Sequence, residues 1–308
     1  MPELPEVETI RSDLEKEILG AKILDIWTDT PKMLQPSVEA VRGTVVGSKI
    51  GAIKRRAKLL IFSMRPGESE RSEGSPNQVP NPRNHSVRGR QVRNDGDGVY
   101  LLIHLKLSGR LLLREATDPP DDWQHIVLTL EMPDGEKKEL RFCDLRKFGY
   151  LKLVDWERFQ EIYSEYGPEP LDDLTLGKFQ AILSKSKIAI KKLLMDQKRI
   201  SGIGNIYANE ALWLAKVHPE RAANGLSLEE SKNLFAAIEN VLGEGLRYRG
   251  TTAKDDFYLD AHGKKGNYQS QLRIYREAGK PCPRCGTLIK RIKVGGRGTF
   301  FCPTCQPR

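Results

Sequence analysis

Met1-Pro2-Glu3-Leu4-Pro5-Glu6 opens the chain. If Met1 is removed, Pro2 carries a free secondary amine. An α-amino group titrates near ~7.7–8.0, against ~10.4 for a lysine, so it is a usable nucleophile closer to neutral pH. Attack by such an amine on a sugar C1′ or a carbonyl carbon gives an iminium ion, an electron sink of the Schiff-base kind. Glu3 and Glu6 follow one and four positions later, where a carboxylate can do general acid–base work. A plainer alternative is a stiff lead into a helix, with Pro5 in the first turn and acids at its positive end. A helix is expected over 5–19 in either case. Val7, Ile10, Leu14 and Ile18 recur at helical spacing and Gly20 supplies a stop. Its apolar stripe would anchor the N-terminus against a core.

The other end carries a second pattern. Cys282-Pro-Arg-Cys285 is followed by sixteen residues and then by Cys302-Pro-Thr-Cys305. Two Cys-x-x-Cys knuckles at this spacing fit one tetrahedral four-thiolate zinc ion (Zn2+). All four positions are protein ligands, so the site is structural. Leu288, Ile289, Ile292, Phe300 and Phe301 can form the small core of the hairpin between the knuckles, with the metal replacing the larger core that the unit lacks. The fifth cysteine, Cys143, has no partner at ligand spacing and reads as a small buried hydrophobe.

Charge points the same way. The net charge of the 308 residues is +9. Residues 264–308 hold eleven Lys/Arg and one acid, so the rest of the chain is close to neutral. A basic segment on a neutral body is the footprint of a phosphate-backbone binder. There is no run of 18 apolar residues and no charged-then-apolar leader, which predicts a cytoplasmic protein without a membrane span.

Between the two ends the periodicity changes twice. Short strands are expected at 22–27, 45–54, 58–64, 99–105, 109–114, 125–131, 138–142 and 148–154, which suggests an antiparallel sandwich or flattened barrel. Residues 66–98 interrupt them with four prolines, five glycines, no aromatic residue and balanced charge, a composition expected of a disordered surface insertion. From 155 to 250 the pattern is helical, with stretches near 156–166, 175–185 and 188–196 and a capping box at Ser227-Leu228-Glu229-Glu230. Gly202 and Gly204 precede another helix and would let backbone N–H groups approach an anion at its positive end.

Taken together, these stretches resemble the formamidopyrimidine-DNA glycosylases, bacterial repair enzymes for oxidised purines. The resemblance rests on Pro2–Thr9, His104–Arg110, Cys143–Gly149, Met195–Glu210, the stretch from Thr251 and the zinc segment. It implies an α+β multidomain fold: a β-sandwich domain over 2–154 with an N-terminal helix, a helix–two-turns–helix domain over 155–250, a lesion-covering loop and connector over 251–278, and a zinc finger over 279–308. It implies Pro2 as nucleophile and Glu3 as acid/base, with Glu6 in support. Lys58 and Arg297 would grip the damaged nucleotide's phosphates, and Lys191, Asn205 and Tyr275 would contact further phosphates. Leu107, where the family has a methionine, Arg146 and Phe148 would fill the duplex as the lesion flips out. The implied partner is double-stranded DNA with oxidised bases or abasic sites, bound by a monomer. Two alternatives stay open: an endonuclease VIII-like enzyme for oxidised pyrimidines, and a non-catalytic zinc-containing DNA-binding protein.

Overall fold

The computed structural model describes residues 2–65, 98–252 and 258–308. Met1, nearly all of the expected insertion at 66–98, and residues 253–257 of the expected covering loop lie outside them. Helix α1 spans Leu4–Glu17. Its predicted stripe is real: Val7, Ile10, Leu14 and Ile18 are fully buried. It packs on strands β3 (Lys49–Arg56) and β4 (Leu59–Arg65) and on helix α7 (Leu228–Arg247).

The remaining strands are β1 (Lys22–Thr28), β2 (Leu34–Gln35), β5 (Val99–His104), β6 (Gly109–Glu115), β7 (Gln124–Glu131), β8 (Lys137–Asp144) and β9 (Tyr150–Val154). They join one nine-stranded sheet in the order β2-β9-β5-β4-β3-β1-β7-β8-β6. Two short links force this sheet to fold over. Only residues 105–108 connect β5, third in the order, to β6, ninth. That link can reach about 18 Å, whereas six strand spacings in a flat sheet need about 29 Å. Residues 145–149 likewise join β8 to β9 across the sheet. The result is the expected sandwich, and both crossing links emerge at one end of it. Its core joins the α1 stripe to inward residues of both halves, among them Phe62, Ile103, Leu128 and Phe142.

Two details differ from expectation. Residues Val38–Val45 form helix α2, capped by Ser37, whose Oγ accepts from Ala40 N–H at 3.1 Å. Val41 and Val45 are its buried face, so β3 begins four residues later than the strand expected from 45. The pairing is also not wholly antiparallel, because β2 lies parallel to β9.

Helices α3 (Trp156–Ser164), α4 (Leu176–Ser184), α5 (Ile190–Leu194) and α6 (Asn205–Leu214) precede α7. The capping box of α7 forms as expected: Glu230 N–H donates to Ser227 Oγ at 3.1 Å and Ser227 N–H to Glu230 Oε2 at 2.8 Å. Helix α3 covers the outer face of β4 and β5, with Phe159 stacked on Tyr100 at 4.4 Å between centroids. Helices α4 to α7 build a second core that also takes in Ile289 and Phe300 of the hairpin formed by β10 (Lys290–Val294) and β11 (Arg297–Phe301). Leu4 belongs to this second core although the rest of the α1 stripe belongs to the first. The N-terminus is therefore stitched to both halves.

Glu169, from the link between α3 and α4, makes another stitch. Its carboxylate accepts from Arg55 Nη1 at 2.5 Å, from Ala57 N–H at 2.7 Å and from Arg56 Nη1 at 3.4 Å. Ala57 has φ +54°, and these bonds hold the turn that presents Lys58. Glu169→Ala leaves two largely buried guanidiniums short of a partner, so it should cost about 3–5 kcal/mol in urea unfolding. A loss below about 1 kcal/mol would mean that neighbouring acids such as Glu8 suffice.

Candidate active site

Pro2 and Glu3 are buried where the two halves meet. Leu4 N–H donates to Gly202 O at 3.0 Å. The Glu3 carboxylate accepts from Gly204 N–H at 2.7 Å, Ile206 N–H at 2.8 Å and Tyr207 N–H at 3.4 Å. These donors are at the N-terminus of α6, whose dipole favours a negative charge. The glycine pair thus does hold an anion, as its spacing predicts. The anion is the chain's own Glu3 rather than a phosphate. Close approach requires glycine: a Cβ at Gly204 would lie 2.3 Å from Glu3 Cδ, and one at Gly202, which has φ +90°, would lie 2.7 Å from Leu4 Cδ1.

Glu6 lies beside Glu3. Its Oε2 accepts from Glu3 N–H at 2.8 Å, and its Oε1 accepts from Thr251 N–H at 2.7 Å and Tyr207 O–H at 2.9 Å. Burial, with the Glu3 charge next to it, pushes the Glu6 carboxyl up to about 7. Burial also raises Glu3, against the pull of Lys58 and the bond from Ile206 N–H. Lys58 is 7 % exposed, and burial lowers its pKa while Glu3 and Glu6 draw it back and Arg297 lowers it further. Lys58, Glu3, Glu6 and Arg297 therefore share one field, brought together from the turn between β3 and β4, the start of α1 and β11.

The two crossing links of the sandwich carry Leu107 and the pair Arg146 and Phe148. Asp144, fully buried, binds them together. It accepts from Ser108 O–H at 2.5 Å, Gly149 N–H at 2.7 Å, Phe148 N–H at 2.8 Å and Arg146 N–H at 3.2 Å. Phe148 stands 55 % exposed, with the Arg146 guanidinium 5.0 Å from its ring centre. Leu107 is half-buried. An exposed phenylalanine held by a rigid polar knot is what an intercalating wedge needs.

Asn205 begins α6 and is half-buried. Lys191, for which the resemblance implies a phosphate contact, is held by the protein's own groups. It is fully buried, and its Nζ donates to Thr299 Oγ1 at 2.7 Å, Gly298 O at 3.0 Å and Asn209 Oδ1 at 3.3 Å. Burial lowers it to about 7. Its place is behind the hairpin strand that carries Arg297. Tyr275 is also mostly buried, edge-on to Phe300. Glu210 fixes that segment by accepting from the backbone N–H groups of Arg273, Ile274 and Tyr275 at 2.9–3.0 Å. Asp144, Glu169, Asn209 and Glu210 escape sequence reading. Glu169, Asn209 and Glu210 bond groups far along the chain, and the residue types around Asp144 do not tell that its carboxylate will gather the neighbouring N–H groups and Ser108.

The four sulfurs of Cys282, Cys285, Cys302 and Cys305 lie within 4.8 Å of one another. Tetrahedral zinc–sulfur bonds put thiolates about 3.8 Å apart. The Cys282–Cys305 and Cys285–Cys302 separations are 4.0 and 3.4 Å, so the residues fit one structural zinc. Trp213 Nε1–H of α6 donates to Cys282 Sγ at 3.4 Å and ties the knuckle to the helical core.

Two outcomes follow from this geometry. Cys302→Ser should lower bound zinc, read by elemental analysis, and lower the thermal midpoint; full metal content would refute the ligand set. Glu6 binds its proton more tightly folded than unfolded. Its stabilising contribution is therefore complete below about 4.5, its unfolded value, and is lost as pH rises through about 7. Urea midpoints measured from pH 5 to 8 should fall more steeply for the native chain than for Glu6→Gln. Parallel curves would show that Glu6 is ionised throughout.

Comparison with known proteins agrees with this arrangement. A model of the formamidopyrimidine-DNA glycosylase N-terminal domain matches residues 1–151, that family's H2TH domain matches 166–256, and a zinc finger found in FPG and IleRS matches 279–308. The formamidopyrimidine-DNA glycosylase of Herpetosiphon aurantiacus is 39% identical, with 99% of this chain and 100% of that protein aligned. That of Pelotomaculum thermopropionicum is 36% identical, with 99% of each aligned. Among solved structures, a Lactococcus lactis FPG mutant bound to Fapy-dG-containing DNA superposes with a TM-score of 0.82 at 32% identity, covering 100% of both chains. The Lactococcus lactis enzyme with abasic-site DNA gives the same score and identity over 99% of this chain and 100% of that one. Matched along almost its whole length by sequence and by fold, this chain belongs to the formamidopyrimidine-DNA glycosylase family.

Proposed function

We propose that the chain is a bifunctional DNA glycosylase and abasic-site lyase of base excision repair that removes oxidised purines. The observation that carries the reading is the seat of Glu3. A carboxyl held by three backbone N–H groups of α6 pins the adjacent Pro2 between the sheet and helical halves, within the field of Lys58 and Arg297.

In this reading Met1 is absent from the working enzyme. The Pro2 nitrogen attacks C1′ of the flipped nucleotide, the N-glycosidic bond breaks, and the departing base takes a proton. The nitrogen, having given up its proton, then uses its lone pair to expel O4′: the C1′–O4′ bond breaks, the sugar ring opens, Glu3 delivers a proton to O4′, and an iminium stands at C1′. That electron sink acidifies C2′–H, and loss of the proton expels the 3′ phosphate; a second elimination expels the 5′ phosphate. Glu3 exchanges protons at the sugar, because burial holds its carboxyl above the usual range while the N–H groups still accept its charge. Glu6 keeps Glu3 and Thr251 in register. Lys58 and Arg297 bind the flanking phosphates, helped by Asn205 and Tyr275, while Lys191 supports the Arg297 strand from behind. Leu107, Arg146 and Phe148 occupy the space that the flipped nucleotide vacates. Zinc supplies only the shape of the hairpin. The sandwich (2–154), helical domain (155–250), connector (251–278) and zinc finger (279–308) divide these tasks, in a monomer working on DNA in the cytoplasm.

A second substrate class has one observation in its favour. A solved Lactococcus lactis FPG complex contains DNA with an oxidised pyrimidine, and that protein shares 33% identity with this chain. A duplex panel with 8-oxoguanine or thymine glycol decides between them: faster release of thymine glycol would overturn the purine assignment.

Borohydride trapping tests the chemistry. A duplex carrying 8-oxoguanine opposite cytosine should yield a reduced adduct that mass spectrometry maps to Pro2. Pro2→Gly should trap at least tenfold more slowly while duplex binding persists. An adduct mapping only to a lysine would remove Pro2 from the nucleophile's role.

A further inference from the structure

Helix α7 runs out into a turn whose backbone suits glycine and receives an arginine. Arg249 has φ +60° and Gly250 has φ +85°. The left-handed conformation is common just past a helix, where glycine takes it without steric cost. An arginine there crowds its Cβ against the neighbouring carbonyl. A side chain kept in such a place points to work done by its far end.

That far end joins three elements. One nitrogen of Arg249, Nη2, donates to Asp13 Oδ2 of α1 at 2.5 Å and to Asp260 Oδ2 of the connector at 2.7 Å. Both acids are almost fully buried, and the proposed chemistry uses neither. Asp13 lies close to two helical turns after Glu6 and so shares its face of α1. Asp260 also accepts from His262 N–H at 3.0 Å and Lys264 N–H at 2.8 Å. The connector is bound to the sheet in turn, because Leu113 N–H donates to Ala261 O at 2.8 Å. Tyr258 O–H donates to Arg249 O at 3.0 Å, which fixes the backbone of the same residue.

What lies two residues further on gives this clamp a use. Thr251 N–H donates to Glu6 Oε1 at 2.7 Å, and Glu6 Oε2 accepts from Glu3 N–H at 2.8 Å. The turn sits tightly on that acid: a Cβ at Gly250 would lie 2.9 Å from Glu6 Cγ. A displacement of the turn is therefore passed to Glu6, and from Glu6 to the backbone beside Pro2.

We propose that Arg249 is a positioning residue for base excision. By fastening the end of α7 to Asp13 and Asp260, it holds Thr251 N–H on Glu6 and so keeps Glu3 and Pro2 in line with the sugar. This role rests on Pro2 as nucleophile and Glu3 as acid/base. It gives Arg249 no contact with DNA and gives Asp13 and Asp260 no proton to carry.

Single-turnover kinetics of the full chain on a duplex with 8-oxoguanine opposite cytosine, with duplex affinity measured alongside, tests the role. Arg249→Gln should slow base release about fivefold or more and leave the dissociation constant within about twofold of native, because misplaced groups cost rate rather than binding. Arg249→Lys should restore at least about half of the native rate, since one nitrogen serves both acids and an ammonium can replace it. Asp13→Asn should slow release similarly, and its effect should largely vanish in the Arg249→Gln background. Circular dichroism checks that each variant is folded. Arg249→Gly, which suits the left-handed backbone, carries the same comparison should Arg249→Gln fold poorly. Native rates in the folded variants, weaker duplex binding at an unchanged rate, or a rate that Arg249→Lys does not restore would each overturn the positioning role alone. A native chain that releases no 8-oxoguanine would instead remove the assignment of Pro2 and Glu3 on which the role rests.

Discussion

The seat of one carboxylate governs this molecule. Glu3 accepts three backbone N–H groups at the start of α6, where the N-cap residue, Gly204, has no side chain to cap them. The contact satisfies donors that a helix leaves unpaired at its N-terminus. It also binds the first residues of the chain to the middle of the helical half. Burial alone would neutralise or expel such a group; the helix end makes its burial tolerable. Everything near it is then placed by consequence: Leu4 enters the helical core, Val7 to Ile18 enter the sheet core, and Glu6 reaches Tyr207 and Thr251.

The fold places its two crossing links by a geometrical necessity. A nine-stranded sheet whose third and ninth strands are joined by four residues has to close on itself. The links that close it protrude at one end, and they bear Leu107, Arg146 and Phe148. A single buried acid, Asp144, then makes the two links one body. The closure of the sandwich and the placing of these side chains are the same event.

Much of this was legible in the sequence because it was periodic or locally spaced. The α1 stripe, the α7 capping box and the four cysteines announce themselves within a few residues. The parts that were not legible depend on partners far along the chain. Gly202 and Gly204 were readable as an anion site, but nothing local told that Glu3, about 200 positions away, would fill it. Lys191 was readable only through the resemblance, because its acceptors, Gly298 and Thr299, lie far along the chain in the hairpin. Helix α2 was hidden because Val41, Val45 and Val46 run into a strand-like stretch, with only residues 46–48 between the helix and β3. Buried polar pairs leave no periodic trace, and they are what assembles this site.

The same long reach has a consequence for synthesis. Residues 2–6 leave the ribosome long before their partners at Gly202, Gly204, Ile206, Tyr207 and Thr251, which are made some 200 residues later. At about 5–20 residues per second, the N-terminus waits ten seconds or more for its seat. During that time these residues lack the groups that bury them, and they can take their seat only when the helical half has formed. A chain that stalls or is cut before α6 has no N–H groups to hold Glu3.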